Sequence, residues 1–226
     1  KIASQLVNNA DLIIAIGTRL GFNSTFYSYD NISKSAKIVQ VDIDPIALGR
    51  YFPIELGINN DAKKFLENLL TLLSQKRLKY NNSVWVNSFI NERNNYYKKR
   101  DSEADIGSET IQPSGLFKEL RDVMPKNSSV TLDAGTLCLQ ATDQFNFAES
   151  KSLFTPLDFG LVGFSFAAGL GVKLAKPNSP VFSLMGDGGF GMTVSELSTA
   201  VQHNINTITI VMNNKSWGAE KAYQRD

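Results

Sequence analysis

The chain predicts an α/β protein of two layered units, each built on a parallel sheet. Three observations carry this. Short apolar, β-branched runs alternate with longer stretches of helical periodicity in both halves of the 226 residues. The runs are near-continuously apolar, as in strands covered on both faces. A polar stretch, residues 74–112, separates the halves.

Residues 1–9 read as a helix. Residues 11–16 (DLIIAI) read as a buried strand, with Gly17-Thr18-Arg19 as the turn after it. Residues 36–43 (AKIVQVDI) read as a second strand. Asp44-Pro45 stops it, because proline restrains the residue before it and lacks an N–H. Over residues 61–73, Phe65, Leu66, Leu69, Leu70, Leu72 and Leu73 fall at near-helical spacing and predict an amphipathic helix. A surface helix is expected over 84–100, with Trp85, Phe89, Tyr96 and Tyr97 as its contact residues.

The second unit begins near Pro113. Pro113-Ser114-Gly115 opens a helix that runs to Met124. Residues 129–133 (SVTLD) read as a strand, and Asp133-Ala134-Gly135-Thr136 as a strand-to-helix turn. A Gly-containing loop over 155–163 leads into an apolar helix over 164–174, which Lys176-Pro177 ends. Residues 181–185 (VFSLM) read as a buried strand, and Gly186, Gly188 and Gly189 as a tight turn. Thr193-Val194-Ser195-Glu196 reads as a capping box that starts a helix running to about Asn204. Residues 207–212 (TITIVM) read as the next parallel strand.

That last unit places Asp187 and Asn214 at the carboxyl ends of two strands, where open α/β sheets bind ligands. Gly186-Asp187-Gly188 and Asn213-Asn214 flank 24 residues that form one strand-turn-helix-strand unit. One carboxylate, one amide oxygen and a Gly-rich turn suit a magnesium ion that carries a diphosphate. Magnesium takes six hard oxygens and shares them with phosphates and water. Glycines let backbone N–H groups come close to phosphate.

Composition narrows the field. The net charge of +1 suggests neither nucleic acid nor a membrane surface as partner. No apolar run approaches the ~18 residues of a membrane span, and the start, Lys-Ile-Ala-Ser, carries no signal pattern. One cysteine, Cys138, gives no disulfide framework, so cytoplasm is the expected compartment. Cys138 reads as a small buried residue. His203 is the only histidine and reads as a helix-end residue, so a Ser-His-Asp triad or a His-based metal cluster is not expected.

The spacing GDG-x24-NN resembles the thiamin-diphosphate motif of the acetohydroxyacid synthase and 2-oxoacid decarboxylase superfamily. The resemblance implies two Rossmann-like three-layer domains with parallel sheets. Residues 1–75 would be the C-terminal part of a central domain, 76–112 a linker with a surface helix, and 113–226 the diphosphate- and magnesium-binding domain, truncated at its C-terminus. The chain, which lacks an initiator Met, would be an internal fragment of a longer enzyme. By the same resemblance Asp187 and Asn214 are side-chain ligands of magnesium, and Ser216 gives its backbone carbonyl. Gly186, Gly188, Gly189, Gly218 and Ala219 would lie along the diphosphate, with Gly135 and Thr136 approaching it. Either Leu161 or Val162 would be the apolar residue that bends the cofactor into a V.

Residues 38–50 and Gly17-Thr18-Arg19 resemble the region where some relatives hold FAD or a nucleotide. No G-x-G-x-x-G follows either strand, so FAD is not expected. The run Asn213-Asn214-Lys215-Ser216-Trp217-Gly218-Ala219-Glu220-Lys221 looks like sulfoacetaldehyde acetyltransferases, as does Phe159-Gly160 with Val162-Gly163-Phe164. Residues 222–226 (AYQRD) depart from that group, where Lys-Asn-Gln is expected.

The implied activity is C–C bond cleavage or formation on a 2-oxo acid or related aldehyde, by a transferase or lyase. The rivals are a 2-oxoacid decarboxylase, a non-catalytic paralogue of the same fold, and a nicotinamide or flavin dehydrogenase. The resemblance places the activating glutamate in a missing N-terminal domain, usually on a partner subunit. A homodimer or homotetramer with its site between subunits is therefore expected, and residues 1–226 alone are expected to be inactive.

Overall fold

The computed structural model describes residues 2–25, 27–76, 83–147, 149–156 and 159–224. Residues 77–82 of the expected linker, 157–158 of the expected loop and the last two positions lie outside the described residues. The described residues form two compact units, Lys1–Lys99 and Arg100–Asp226.

The first unit contains α1 (Ile2–Asn8), β1 (Leu12–Ile16), α2 (Phe22–Thr25), β2 (Lys37–Asp42), β3 (Leu56–Asn59) and α3 (Ala62–Gln75). The helix α4 (Ser83–Ser102) follows. The strands pair in parallel in the order β1-β2-β3. Asp44 ends β2 as expected: its carboxylate accepts the Ile46 N–H at 3.0 Å and starts a short 3-10 turn at Pro45. Asp61 caps α3 by accepting the Lys64 N–H at 3.0 Å. Ile32, Ile38 and Phe52 form the core, with Val7, Ile13, Leu20 and Ile54 packed against them.

One expectation is corrected here, and one strand is additional. β1 is not covered on both faces: Leu12 and Ile14 are about half exposed while Ala15 is buried. An unbroken apolar run makes both faces apolar, but covering each face needs a partner element. The strand β3 was not foreseen, because Leu56-Gly57-Ile58-Asn59 is short and carries a glycine.

The second unit contains α5 (Pro113–Val123), β4 (Ser129–Leu132), α6 (Thr136–Gln144), β5 (Leu153–Phe154) and α7 (Phe164–Ala175). It continues with β6 (Val181–Gly186), α8 (Asp187–Thr193), α9 (Glu196–Gln202), β7 (Ile208–Met212) and α10 (Gly218–Tyr223). Its strands pair in parallel in the order β5-β4-β6-β7. The two-residue β5 is a further strand that its sequence did not announce.

The period of two along β4 and β6 builds the layers. Val130, Leu132, Phe182 and Leu184 pack with Phe117, Leu120, Leu137 and Ala141 of α5 and α6. Met185 packs on the other face with Phe166 and Leu170 of α7. Thr131 and Ser183 share that face. There Thr131 Oγ1 donates to Ser165 O at 2.9 Å, and Ser165 Oγ donates to Thr131 O at 2.8 Å. Buried hydroxyls paired in this way tie α7 to the middle of the sheet without leaving an orphan.

The stretch after β6 is a correction. No tight turn opens there: the helix α8 starts at Asp187, with Gly186 as its cap in extended backbone. The capping box is not formed. Thr193 is the last residue of α8, Val194 and Ser195 keep right-handed helical backbone, and Ser195 makes no side-chain cap. A capping side chain needs extended backbone at its own position to reach the N–H two or three residues on, and the chain here is already helical. Glu196 instead accepts from Thr199 Oγ1 at 2.9 Å.

Candidate functional site

The site is built at the carboxyl ends of β4, β6 and β7. Gly186 pairs with Met212 in the β6–β7 register. Asp187 is thus the first residue beyond one strand, and Asn214 the second residue beyond its neighbour. Adjacent strands are ~4.8 Å apart, so the two residues stand at neighbouring strand ends, one register step apart. A right-handed helical crossover brings consecutive parallel strands together in this way.

The loop after β7 is shaped by its asparagines. The Lys215 N–H donates to Asn213 Oδ1 at 2.9 Å, and the Ser216 N–H donates to Asn214 Oδ1 at 3.0 Å. These are two successive Asx turns, with Lys215 between them in the left-handed region at φ 56°. Asn214 Oδ1 also accepts from Ser216 Oγ at 3.3 Å, and this hydroxyl has the Asn214 carbonyl at 3.5 Å as a second acceptor, so its turning there frees a lone pair of the amide oxygen for a cation. Asn214 is exposed and Asp187 half-buried.

Close approaches bring the other segments in. A Cβ at Gly218 would lie 3.0 Å from Asn214 Nδ2 and 3.6 Å from Thr136 Oγ1. The turn after β4, which carries Gly135 and Thr136, therefore meets the loop after β7. Gly135 caps α6 at φ 93° and has nothing within 4 Å of where its Cβ would be, which leaves open space beside it. Ala219 follows Gly218 in the first turn of α10. A Cβ at Gly188 would come within 2.5 Å of Trp217 Nε1, so the indole lies on the first turn of α8.

The loop that carries Leu161 and Val162 also reaches this place. Gly163 stands at φ 89°, and its Cβ position lies 3.1 Å from Met192 Cβ and 3.3 Å from Thr193 Cγ2. Leu161 is half exposed and Val162 partly buried. All four segments singled out in the sequence thus converge at one edge of the sheet.

The residues fit a magnesium diphosphate. The oxygens that could serve as donors are hard: one carboxylate, one amide and a loop carbonyl, in a loop that turns back on α8. Among the described residues no group of three His, Cys, Asp or Glu could hold a metal. A cation here must take its remaining oxygens from bound phosphate or water. Gly188 and Gly189 lie in the first turn of α8, where unpaired N–H groups favour an anion.

Two residues escaped the sequence reading. Asp133 is 1% exposed at the tip of β4, and its carboxylate accepts three backbone N–H groups. Its only signal was position, since Asp133 follows β4 as Asp187 follows β6. Trp217 was legible as a marker of a subgroup and not as a wall of the site. His203 ends α9, where its N–H donates to Thr199 O at 3.1 Å. Cys138 is buried with its sulfur 3.3 Å from Thr155 Oγ1.

Comparison with known proteins gives the family. Residues 1–69 match the family described as "Thiamine pyrophosphate enzyme, central domain". Residues 133–226 match "Thiamine pyrophosphate enzyme, C-terminal TPP binding domain". The sulfoacetaldehyde acetyltransferase of Alcaligenes xylosoxydans xylosoxydans is 32% identical over all of this chain and 41% of its own length. The acetolactate synthase large subunit of Haemophilus influenzae is 32% identical over 98% of this chain and 38% of its own. Acetolactate synthase isozyme 3 large subunit of Escherichia coli is 28% identical over the same shares. The chain spans about two-fifths of the length of these curated relatives.

Proposed function

The chain belongs to the thiamine pyrophosphate enzymes, whose central domain and C-terminal TPP-binding domain it carries, and from that premise we propose that it forms the magnesium-diphosphate half of such an enzyme's active site. The observation that carries the proposal is the placement of Asp187 and Asn214 one and two residues beyond the ends of two paired strands. Asp187 supplies the negative charge and Asn214 a neutral oxygen, with the Ser216 carbonyl as third protein ligand. Gly186, Gly188, Gly189, Gly218 and Ala219 line the diphosphate with backbone, and Gly135 and Thr136 close the side next to β4. Leu161 or Val162 supports the cofactor from below in a bent form.

Bound thiamin diphosphate supplies a nucleophilic ring carbon and an electron sink for breaking a C–C bond beside a carbonyl. The protein's own part is to grip the diphosphate, orient the rings and exclude water. The substrate class is a 2-oxo acid or a related aldehyde, and the reaction a two-carbon transfer or a lyase cleavage. The names of the relatives, sulfoacetaldehyde acetyltransferase and acetolactate synthase, support this class. The run from Trp217 to Lys221 favours the first of them. The activating glutamate comes from outside these residues, on a partner subunit of a homodimer or homotetramer.

The test is calorimetric titration of the full-length protein with thiamin diphosphate, with and without magnesium, and with NAD and FAD as comparators. Saturable binding of thiamin diphosphate that needs magnesium is the expected result. Binding of NAD or FAD with none of thiamin diphosphate would refute the reading. Residues 1–226 alone should show no turnover with pyruvate or sulfoacetaldehyde.

A further inference from the structure

Buried carboxylates need partners, because desolvating a charge is costly. Asp133 sits at the tip of β4, 1% exposed, and its partners are backbone. Gly163 N donates to Oδ2 at 3.0 Å, Phe164 N to Oδ1 at 2.8 Å and Ser165 N to Oδ1 at 3.3 Å. These are the first amides of α7, a twelve-residue helix whose amino-terminal dipole favours the charge. The carboxylate bonds the junction between α7 and the loop bearing Leu161 and Val162.

The oxygen that accepts the Gly163 N–H, Oδ2, also faces α8. A Cβ at Gly189 would overlap Asp133 Oδ2, so the first turn of α8 packs on this carboxylate. The backbone of Asp133 is fixed too, since its N–H donates to Leu184 O of β6 at 3.1 Å. Three residues on, the same strand end delivers Thr136, beside Gly218. One side chain thus joins the loop carrying Leu161 and Val162, the glycine-bearing first turn of α8, and the end of β4.

From this geometry we infer that Asp133 is a positioning residue, which sets the Leu161–Val162 loop against α8 so that the ring support and the diphosphate grip stand in one fixed relation. The inference rests on the thiamin-diphosphate reading. It assigns Asp133 no contact with cofactor or substrate. A hydroxyl pair, Thr131 of β4 with Ser165, also holds the first turn of α7. Asp133 adds the Gly163 N–H, where the loop enters the helix.

The test compares Asp133→Asn with Ser183→Ala in the full-length protein. Asparagine keeps the shape and one acceptor oxygen, but puts an NH2 group opposite the Gly163 N–H or the Phe164 N–H. Asp133→Asn should weaken thiamin diphosphate binding at saturating magnesium by about tenfold, the low end for outer-shell partners. It should also change the near-UV circular dichroism of the bound cofactor. Ser183→Ala should lower the melting temperature and leave cofactor affinity within about twofold, well under that outer-shell range. Equal cofactor affinity and an unchanged dichroism band in Asp133→Asn would overturn the inference, and wild type that binds no thiamin diphosphate would overturn the reading beneath it. Should Asp133→Asn not fold, hydrogen exchange on wild type decides: the amides of Gly163, Phe164 and Ser165 should gain protection when thiamin diphosphate and magnesium are added. Unchanged protection there would refute the coupling.

Discussion

The two sheets of this chain are built alike and finish differently. In the first unit Gln40 of β2 is 2% exposed and stitches the loops at the carboxyl end to each other. Its Nε2 donates to Thr18 O at 3.0 Å and to Ala47 O at 3.1 Å, and its Oε1 accepts the Gly49 N–H at 2.8 Å. In the second unit a charged group, Asp133, does the stitching, and beyond it Gly135, Thr136 and Asn214 stay exposed. A neutral amide matches donors and acceptors within the protein and closes an edge. A carboxylate can only accept, so it organises N–H groups around it while neighbouring residues stay open to a ligand. The same layered build gives a closed or an open strand end according to where its loops direct their polar groups.

This contrast can be broken by experiment. Asp187→Ala removes the carboxylate proposed to bind the cation at the open edge. It should reduce magnesium-dependent thiamin diphosphate binding by about a hundredfold or more, above what outer-shell losses cost; unchanged affinity in a calorimetric titration would sink the ligand assignment. Gly189→Ala drives a methyl group into the Asp133 carboxylate. It should cost about 2.5 kcal/mol in chemical denaturation, near the upper end for overpacking. Gln40→Ala leaves three backbone groups of the closed edge without their partner. It should cost about 2 kcal/mol and leave cofactor affinity unchanged; a fall in affinity would show that the two edges are not separate in function.

The smallest effect is expected at Gly188→Ala. The new methyl group displaces the Trp217 indole, which is half exposed and can move, so the cost should be about 1 kcal/mol. Trp217 emission, read in a Trp85→Phe background, should shift to the red. An unmoved spectrum would show that the indole does not rest on α8.

Much of this was legible in advance because it depends on local order. The alternation of apolar runs and helices marked β1, β2, β4, β6 and β7. β3 and β5 went unseen because four residues with a glycine, or two residues alone, make no periodicity. The capping box at Thr193 failed for a related reason. A short motif reports what a helix start could look like, but the preceding helix had already set the backbone there.

The placement of Asp187 and Asn214 just beyond two neighbouring strands was readable from the chain alone, since a strand-helix-strand unit of this length brings its two ends to adjacent strands. What spans several such units was not. Asp133 is 30 residues from Gly163 and 56 from Gly189 in sequence, and nothing near it in the chain announces either partner. Only packing the sheet, with β4 beside β6 and α7 laid across both, brings that carboxylate to the amides that hold it. Local spacing determines which groups reach an edge, and tertiary contact determines what holds them in register.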